Sequence, residues 1–288
     1  MTQPHPASPR PGPLPLVSVV VPSFNQAHYL PMALDSVMFQ DYPEIELIIC
    51  SHGSTDATRA TVEAWLDAVR SEQVSFLDRL DEGGGEGGTD ALPRCYEPRY
   101  PQNRRILTFV EDENIGGSES YNAGFRAASG TYCTYLVGDD LLPPNAVREL
   151  VDALETDGAD VAYSDMFVVD DAGRILQHLK KPDYSFADCL ARWYHLGVGR
   201  LYRRELHERC GYYDPAFKNA NDYDMFLRFA MAGARFVHVP RVLYLTRKHG
   251  QQGGGEPAAW RPGGYDNLMR ESIACAKRAR AWLRTREG

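Results

Sequence analysis

The chain alternates between short continuous apolar runs and longer segments whose apolar residues recur at helical spacing. Residues 16–21 and 44–50 are rich in β-branched side chains, as strands buried on both faces tend to be. Between them, the apolar residues of 28–40 fall on one face of a helix. This order predicts a βαβ unit at the start of the chain.

The same alternation continues towards the end of the chain. The further predicted elements are helices at 57–70, 117–128 and 222–232 and strands at 105–110, 131–137, 160–169, 174–179, 235–239 and 242–246. The repeated strand–helix order predicts an α/β fold with a mostly parallel, Rossmann-like sheet flanked by helices. A turn at 170–173 sends the chain back on itself, so we expect a smaller mixed region in the second half.

Three stretches lie outside this strand–helix alternation. Residues 1–15 are rich in proline and predict a disordered tail, whereas 71–104 form an acidic insertion with a glycine-rich centre, which predicts a loop. The C-terminal part, 251–288, begins with a glycine-rich linker and continues as a basic amphipathic helix at 265–286. Because this helix has an apolar stripe, we expect it to cover the core rather than rest on a membrane. The stripe consists of Leu268, Ile273, Ala276, Ala279 and Leu283.

Composition narrows the class of protein. With 43% hydrophobic and 24% charged residues the chain is an ordinary globular protein, and its net charge of −8 argues against a nucleic-acid partner. The six cysteines are scattered without a Cys-x-x-Cys pair, so we expect buried thiols in a reducing cytoplasm. No apolar stretch approaches the roughly 20 residues of a transmembrane helix, and the N-terminal residues do not form a signal peptide. We therefore expect a cytoplasmic protein without a transmembrane segment.

A glycine motif in the insertion has the spacing of a dinucleotide site but not its context. Gly83, Gly85 and Gly88 match G-x-G-x-x-G, a motif that binds a pyrophosphate only between a strand and a helix. Here an acidic pair precedes the motif and a proline-containing segment follows it. We interpret these glycines as a flexible loop.

Asp139 and Asp140 directly follow the apolar strand predicted at 131–137. They therefore lie at the carboxyl end of a strand, the edge where ligands of open α/β sheets bind. Adjacent carboxylates repel each other unless a cation compensates, and their oxygens suit Mg²⁺ or Mn²⁺, which would bridge to phosphate oxygens. Asp140 could instead cap the helix that Pro143 and Pro144 open. The pair alone leaves the metal site and the helix cap equally open.

Several further segments match one family when they are taken together, over roughly residues 16–250. They are Val19-Val20-Val21-Pro22-Ser23-Phe24-Asn25, Tyr29-Leu30, Leu34, Ser36-Val37, Gln40, Gly53-Ser54-Thr55-Asp56, Asn114 with Gly116, and Asn122-Ala123-Gly124. The chain thereby resembles the inverting family 2 glycosyltransferases with the GT-A fold. This resemblance implies a nucleotide-binding half at 16–140, an acceptor half at 141–250, and sugar transfer from a nucleotide-sugar donor with Mn²⁺ or Mg²⁺.

The resemblance also implies roles for single residues. Asp139 would contact the ribose of the donor and Asp140 would bind the metal. His249 lies in a late basic segment that can close over the diphosphate and contribute to the metal site, and a lone surface histidine is the equally open alternative. The other donor-binding positions are Pro22, Ser23, Asn25, Ser51, His52, Asn114, Gly116 and Asn122.

Asp222, at the start of a predicted helix, would be the general base that takes the proton of the acceptor hydroxyl. An N-cap role for Asp222, and a base role for Asp224 instead, are the alternatives. Arg228 resembles an arginine that often follows the base and would contact a carboxylate or a phosphate. A structural ion pair is an equally open role for Arg228.

Two features depart from the family pattern. Ser51 and His52 stand where most relatives carry two aspartates, one of which accepts the uracil N3 proton, and Val137 replaces a further acid. A neutral imidazole can also accept a proton, so a UDP- or dTDP-sugar donor stays favoured.

The lost aspartates also motivate an alternative function, a non-catalytic nucleotide-sugar or glycan-binding relative. A nucleotidyltransferase ranks last, because no glycine-rich basic loop follows the first strand. The acceptor is open among glycan, lipid-linked, peptide and small-molecule classes. Peripheral membrane contact and homo-oligomer formation also remain open.

Overall fold

The computed structural model of the protein describes residues 12–77, 94–191, 196–249 and 264–285. The strands are β1 (Val17–Ser23), β2 (Ile45–His52), β3 (Gln73–Leu77), β4 (Arg94–Pro98), β5 (Arg105–Glu111), β6 (Tyr132–Tyr135), β7 (Val161–Val169), β8 (Ile175–Leu179), β9 (Arg200–Arg203) and β10 (Phe236–Arg247). The helices are α1 (Leu30–Met38), α2 (Thr58–Ser71), α3 (Gly117–Ala127), α4 (Ala146–Asp157), α5 (Phe186–Ala191), α6 (Glu205–Cys210), α7 (Asn221–Met231) and α8 (Gly264–Arg284).

Eight of the described strands form one sheet in the order β10-β7-β9-β6-β1-β2-β5, with β8 paired to β7. β1 pairs in parallel with β2 and β6, and β2 pairs in parallel with β5. β9 runs antiparallel to β6 and β7 and so joins this half to the parallel pair of β7 and β10. The predicted mostly parallel sheet with a mixed second half is therefore confirmed.

The strands β1, β2 and β6 are buried on both faces, which explains their continuous apolar runs. Val19 of β1 packs in one cluster with residues of α1 and α4, whereas the next residue, Val20, packs in a second cluster with residues of α3 and α7. α3 approaches the sheet most closely at Gly124, where a Cβ atom would lie 2.3 Å from Cγ1 of Val20. A glycine at this position therefore sets how close α3 lies to β1.

Three parts of the chain differ from the predictions. The strands predicted at 235–239 and 242–246 are the single strand β10, whose register against β7 shifts near Pro240, a residue with no N–H for the ladder. The insertion predicted as a loop at 71–104 begins inside α2 and contains the antiparallel pair of β3 and β4. β9, α5 and α6 are not predicted, because each is too short to show a periodic pattern.

Parts of the predicted tail, insertion and linker lie outside the described residues, namely 1–11, 78–93 with the glycine motif, and 250–263. At the end of the predicted tail, the backbone carbonyl of Pro15 accepts a 2.6 Å hydrogen bond from the Tyr42 hydroxyl. Four of the described cysteines are buried, namely Cys50, Cys133, Cys189 and Cys275.

The C-terminal helix α8 packs against α7 and covers the core, as predicted. The contact is an apolar cluster that contains Ala220, Tyr223 and Leu227 together with Cys275 and Ala279. One residue of the predicted stripe was assigned wrongly, because Ile273 is 50% exposed. None of the helices that the structure describes is both long and apolar enough to pass through a lipid bilayer.

Candidate functional site

The candidate site lies at the edge of the sheet where the parallel strands β1, β2 and β6 end. The loops after β1 and β2 are tied together there. The side-chain oxygen of Asn25 accepts a 2.7 Å hydrogen bond from the Thr55 N–H, and the Asp56 carboxylate accepts one of 3.0 Å from the Ala27 N–H. Asn25 has a φ of 53°, a conformation that asparagine adopts more readily than most residues. Asn25 therefore helps to fix the conformation of the loop after β1, which the sequence predicts to bind the donor.

A cleft of about 160 Å³ opens between this loop and α3. Its lining consists of Pro22, Ser23, Phe24, Gln26, Gly117, Ser120, Tyr121 and Val137. Ser23 Oγ and Gln26 Oε1 are buried and have no hydrogen-bond partner among the described residues. Buried polar atoms normally have partners, so these two oxygens suit a polar ligand in the cleft. A second cleft of about 460 Å³ adjoins the first at Gly117.

Asp139 and Asp140 follow β6 at the same edge, and each residue is only 4% exposed. Asp140 Oδ2 accepts a 2.7 Å hydrogen bond from the Tyr244 hydroxyl, and Oδ1 accepts one of 2.8 Å from the Arg247 N–H. Asp139 Oδ2 lies 3.0 Å from Nε2 of His249. The pair therefore contacts the end of β10, a strand more than 100 residues later in the chain.

Burial raises the pKa of both carboxyl groups. The pKa of Asp140 rises to about 7 because of burial and then because of the charge of Asp139, and the hydrogen bonds from Tyr244 and Arg247 oppose this shift. Burial also raises the pKa of Asp139, while its contact with His249 lowers it. Two such carboxylates side by side are stabilised by added positive charge, which a bound cation supplies.

His249 is buried, so it is not the surface histidine that the sequence left open. Its ring packs against Tyr29 with 4.3 Å between centroids, and its Nδ1 has no hydrogen-bond partner in the described part of the chain. Arg247, the last residue of β10, holds this part of the chain next to Asp139, because its Nε donates a 3.0 Å hydrogen bond to the Asp139 carbonyl. His249 thus belongs to the same side-chain group as Asp139.

The described residues contain no group of three or more His, Cys, Asp or Glu side chains that could hold a metal ion. Asp139 and His249 nevertheless place a carboxylate oxygen and an imidazole nitrogen side by side. Mg²⁺ and Mn²⁺ commonly complete their ligand shells with water and phosphate oxygens. These residues therefore fit an ion that binds together with a diphosphate.

The residues that replace the expected aspartates have partners of their own. Ser51 Oγ lies 2.8 Å from Ser54 Oγ, and His52 Nδ1 lies 2.9 Å from Ser120 Oγ. Burial lowers the pKa of His52, against the opposing charge of Glu111, so the imidazole is neutral at pH 7. Ser120 lines the smaller cleft, so His52 contacts one of the residues of the cleft lining.

The other predicted donor-binding residues divide into two groups. Asn114 and Gly116 line the larger cleft, and Gly116, with a φ of 84°, immediately precedes α3. Asn122 is buried instead, where its side-chain amide both donates to and accepts from the backbone of Tyr213 at 2.9 Å. Asn122 therefore fixes the loop before α7 rather than lining either cleft.

Asp222 lies in the first turn of α7 with 24% of its side chain exposed. Its Oδ2 accepts a 3.1 Å hydrogen bond from Arg200, and its Oδ1 accepts one of 2.7 Å from the Tyr223 N–H. Tyr121, which lines the smaller cleft, is within electrostatic reach of Asp222 and of both Asp139 and Asp140. The three carboxylates therefore lie within electrostatic range of one residue of the cleft lining, although none of them is among the described residues that line either cleft.

Asp224 and Arg228 are bound to each other. Asp224 is 2% exposed, and its Oδ2 accepts a 2.9 Å hydrogen bond from Arg228 Nε, while Arg278 of α8 pairs with Oδ1. Arg228 also donates to the backbone carbonyls of Cys210 and Tyr212. This is the structural ion pair that the sequence left open for Arg228.

Arg200 is the site residue that the sequence did not indicate. It lies on the unpredicted strand β9, and its buried guanidinium contacts both Asp222 and the Tyr135 hydroxyl. The only sequence signal is a charged residue in the apolar segment 196–202, and such a signal does not identify its partner. Tyr202 and Tyr213, which follow Arg200 in the chain, pack in the core.

Comparison with known proteins adds the family context. The model of the family described as glycosyl transferase family 2 matches residues 18–88 and 84–213. An uncharacterized glycosyltransferase of Rickettsia typhi is 27% identical over 249 residues, which cover 83% of this chain and 65% of that protein. The chondroitin synthase of Escherichia coli is 24% identical over 242 residues, which cover 83% of this chain and 30% of the synthase. The chain therefore spans less than two thirds of the length of these relatives.

Two solved structures show the fold. S. aureus TarS 1-349 in complex with UDP-GlcNAc has a TM-score of 0.62 at 18% identity, over 90% of this chain and 66% of that one. The mannosyltransferase PcManGT of Pyrobaculum calidifontis, in complex with GDP-Man and Mn²⁺, has a TM-score of 0.57 at 18% identity, over 97% and 78%. These neighbours are GT-A glycosyltransferases, so the expected GT-A fold is confirmed.

Proposed function

The chain belongs to glycosyl transferase family 2, and we propose that it transfers a sugar from a nucleotide-sugar donor to a hydroxyl group of an acceptor. One observation carries this proposal: the buried pair Asp139 and Asp140 and the partly exposed Asp222 all lie within electrostatic range of Tyr121, which lines the smaller cleft. The pair suits a metal-bound diphosphate, and Asp222 suits a general base. Complexes of structural neighbours with UDP-GlcNAc and GDP-Man support the donor class.

We place the metal ion on the Asp139 side of the acidic pair. Family resemblance implies Asp140 as the ligand, but both Asp140 oxygens already accept hydrogen bonds, whereas Asp139 Oδ2 faces His249. Asp139 and His249 would therefore hold the ion, and Asp140 would fix the end of β10. A ligand set that includes imidazole fits Mn²⁺ better than Mg²⁺. When bound, the ion neutralises charge on the departing diphosphate.

Asp222 acts as the base of a single displacement that inverts the anomeric carbon. Its carboxylate takes the proton of the acceptor hydroxyl while the hydroxyl oxygen forms a bond to that carbon. The bond from the carbon to the diphosphate oxygen breaks, and its electron pair leaves with the nucleoside diphosphate. The partial exposure of Asp222, in contrast to the buried Asp224, supports this assignment.

The donor base is uracil or thymine in this proposal. His52 is neutral, and in the tautomer whose Nδ1–H donates to Ser120, its Nε2 is an acceptor for the N3 proton of such a base. We further propose that the enzyme acts in the cytoplasm, which its buried cysteine thiols support. The acceptor remains a hydroxyl of a glycan, lipid-linked, peptide or small-molecule compound.

The test combines ligand binding with nucleotide release. We expect UDP or dTDP to raise the melting temperature only when Mn²⁺ is present, and a donor of the same base to release nucleotide with a suitable acceptor. Asp139→Asn and His249→Gln should each raise the Mn²⁺ concentration for half-maximal activity about 10–100-fold, because each removes a ligand. Asp112→Asn is the control, since Asp112 is 94% exposed. Binding of UDP that needs neither Mn²⁺ nor Asp139 would contradict the metal assignment.

The second candidate is a non-catalytic nucleotide-sugar-binding protein. The observation in its favour is the replacement of the expected aspartates by Ser51 and His52. The same assays separate the two functions. Nucleotide binding without nucleotide release, in a screen of donors and acceptors, would favour the binding protein.

A further inference from the structure

Arg200 is a buried cation between the two halves of the candidate site. Its side chain is 1% exposed, and its guanidinium lies 4.3 Å from the ring centre of Phe226 and 5.2 Å from that of Tyr135. It donates a hydrogen bond to the Tyr135 hydroxyl and one of 3.1 Å to Asp222 Oδ2. The guanidinium therefore has a fixed plane and a fixed direction towards the carboxylate.

The position of Arg200 links two elements that the reaction needs. Tyr135 ends β6, the strand that leads into Asp139 and Asp140, and Asp222 begins α7. β9, which carries Arg200, pairs with β6 and β7 in the sheet. A buried arginine is costly to desolvate, so its contacts with Asp222 and Tyr135 must compensate for this cost.

The other charged or titratable groups near Asp222 do not replace Arg200. Those in electrostatic range are Tyr121, Tyr135, Lys181, Tyr213 and Cys275. Burial raises the pKa of these tyrosines and of Cys275, so they stay neutral at pH 7. Lys181 is the second cation, but among the described residues the ion pair with Asp222 is made by Arg200. On α7 itself, the charge of Asp224 is paired with Arg228 and Arg278.

We propose that Arg200 is a positioning residue for the reaction: it holds the Asp222 carboxylate in place and oriented towards the acceptor hydroxyl. This inference rests on the proposed base role of Asp222. The guanidinium binds one carboxylate oxygen, Oδ2, and so restricts rotation of the Asp222 side chain. Because the guanidinium also binds Tyr135, the base keeps a constant position relative to the strand that carries the acidic pair.

The first test separates kcat from KM for sugar transfer. Arg200→Met keeps an apolar side chain of similar length between Tyr135 and Phe226 but removes the cation. We expect kcat to fall about 10–100-fold with little change in the KM for the donor. Arg200→Lys retains the charge without the planar contacts, so it should recover only part of this loss of kcat.

Two further variants separate positioning from a general loss of structure. Tyr135→Phe removes only the hydroxyl that orients Arg200, so it should lower kcat with little change in the KM for the donor. Arg203→Gln is the matched control, because Arg203 lies on the same strand but pairs with Asp160 at 3.6 Å. An Arg200→Met enzyme that melts like the wild type and keeps its kcat would overturn the inference.

A double-mutant cycle tests the contact without any activity. The urea stabilities of Arg200→Met, Asp222→Asn and the double variant should be non-additive, because each single change leaves the other partner unpaired. Additive effects would overturn the inference even if transfer is observed. If the cycle shows coupling but no donor is turned over by the wild type, the proposed function fails while the contact stands.

Discussion

Replacing Asp224 by asparagine should destabilise the protein but leave the catalytic step of each folded molecule nearly unchanged. The Asp224 side chain is 2% exposed and lies between Arg228 of α7 and Arg278 of α8. Asparagine has almost the same shape, so the change removes mainly the negative charge between two cations. Asp222 lies only two residues away, which makes the pair a direct test of which carboxylate performs chemistry.

The magnitude follows from the burial of the partners. Removing one partner of a buried ion pair costs about 3–5 kcal/mol, because the other charge is left without compensation. Arg228 is 19% exposed and stays fully compensated only with Asp224, whereas Arg278 is 45% exposed and can regain contact with water. We therefore expect the free energy of unfolding to fall by about 2–4 kcal/mol in Asp224→Asn.

The assay pairs urea unfolding with kcat measured where each variant is fully folded. The kcat of folded Asp224→Asn should stay within about threefold of the wild type, whereas that of Asp222→Asn should fall by about 10²-fold or more. Asp214→Asn is the control, because Asp214 lies 3.7 Å from the same Arg278 but is 38% exposed, and it should cost less than about 1 kcal/mol. The reasoning is refuted if folded Asp224→Asn is as inactive as Asp222→Asn, or if its urea midpoint does not change.

Three further predictions concern the frame around the site. Burial lowers the pKa of His207 to about 4, so the stability that the neutral imidazole contributes is present above pH 6.5 and is lost as the pH falls. Urea unfolding should therefore show about 2 kcal/mol less stability at pH 5 than at pH 7. In His207→Gln this difference between the two pH values should be smaller. Glu271 of α8 accepts hydrogen bonds of 2.7 and 2.9 Å from the N–H groups of Asn219 and Ala220, just before α7. Glu271→Ala should therefore lower the free energy of unfolding in urea by about 1–2 kcal/mol and should also lower kcat. The control Arg270→Ala should change neither quantity. Gly124→Ala should lower the melting temperature, because a Cβ atom there would lie 2.3 Å from Val20, and an unchanged melting curve would contradict the packing of α3.

The sheet and the acidic edge could be predicted because their signals are local. The strands β1, β2 and β6 are buried on both faces, so each appears as a short apolar run, and parallel order places their carboxyl ends at one edge. Asp139 and Asp140 follow one such run directly, which is sufficient to locate them. The resemblance implied a metal site that contains His249 and Asp140, whereas the structure pairs His249 with Asp139, 110 residues earlier in the chain.

Arg200, Glu271 and Arg278 could not be predicted for the opposite reason. Each acts through a partner that is distant in the chain or lies on an element with no periodic pattern, such as the four-residue strand β9. The sequence shows only that an arginine interrupts an apolar segment or that a helix is basic. A charge pattern predicts a solvent-exposed face in most proteins, so the buried partner becomes visible only when the elements are packed.

Asp222 and Asp224 lie two residues apart on α7 but have different surroundings. An α-helix turns by about 100° per residue, so side chains two positions apart point in nearly opposite directions. The sequence therefore excludes that both aspartates face one cleft, although it does not say which one does. In the structure, α8 packs against α7 on the Asp224 side, through Arg278 and the apolar cluster around Cys275. Asp222 lies on the other side of α7, where it contacts Arg200. Asp224 is thus covered by the C-terminal helix, and Asp222 is the more exposed of the two carboxylates, as the proposed base role requires.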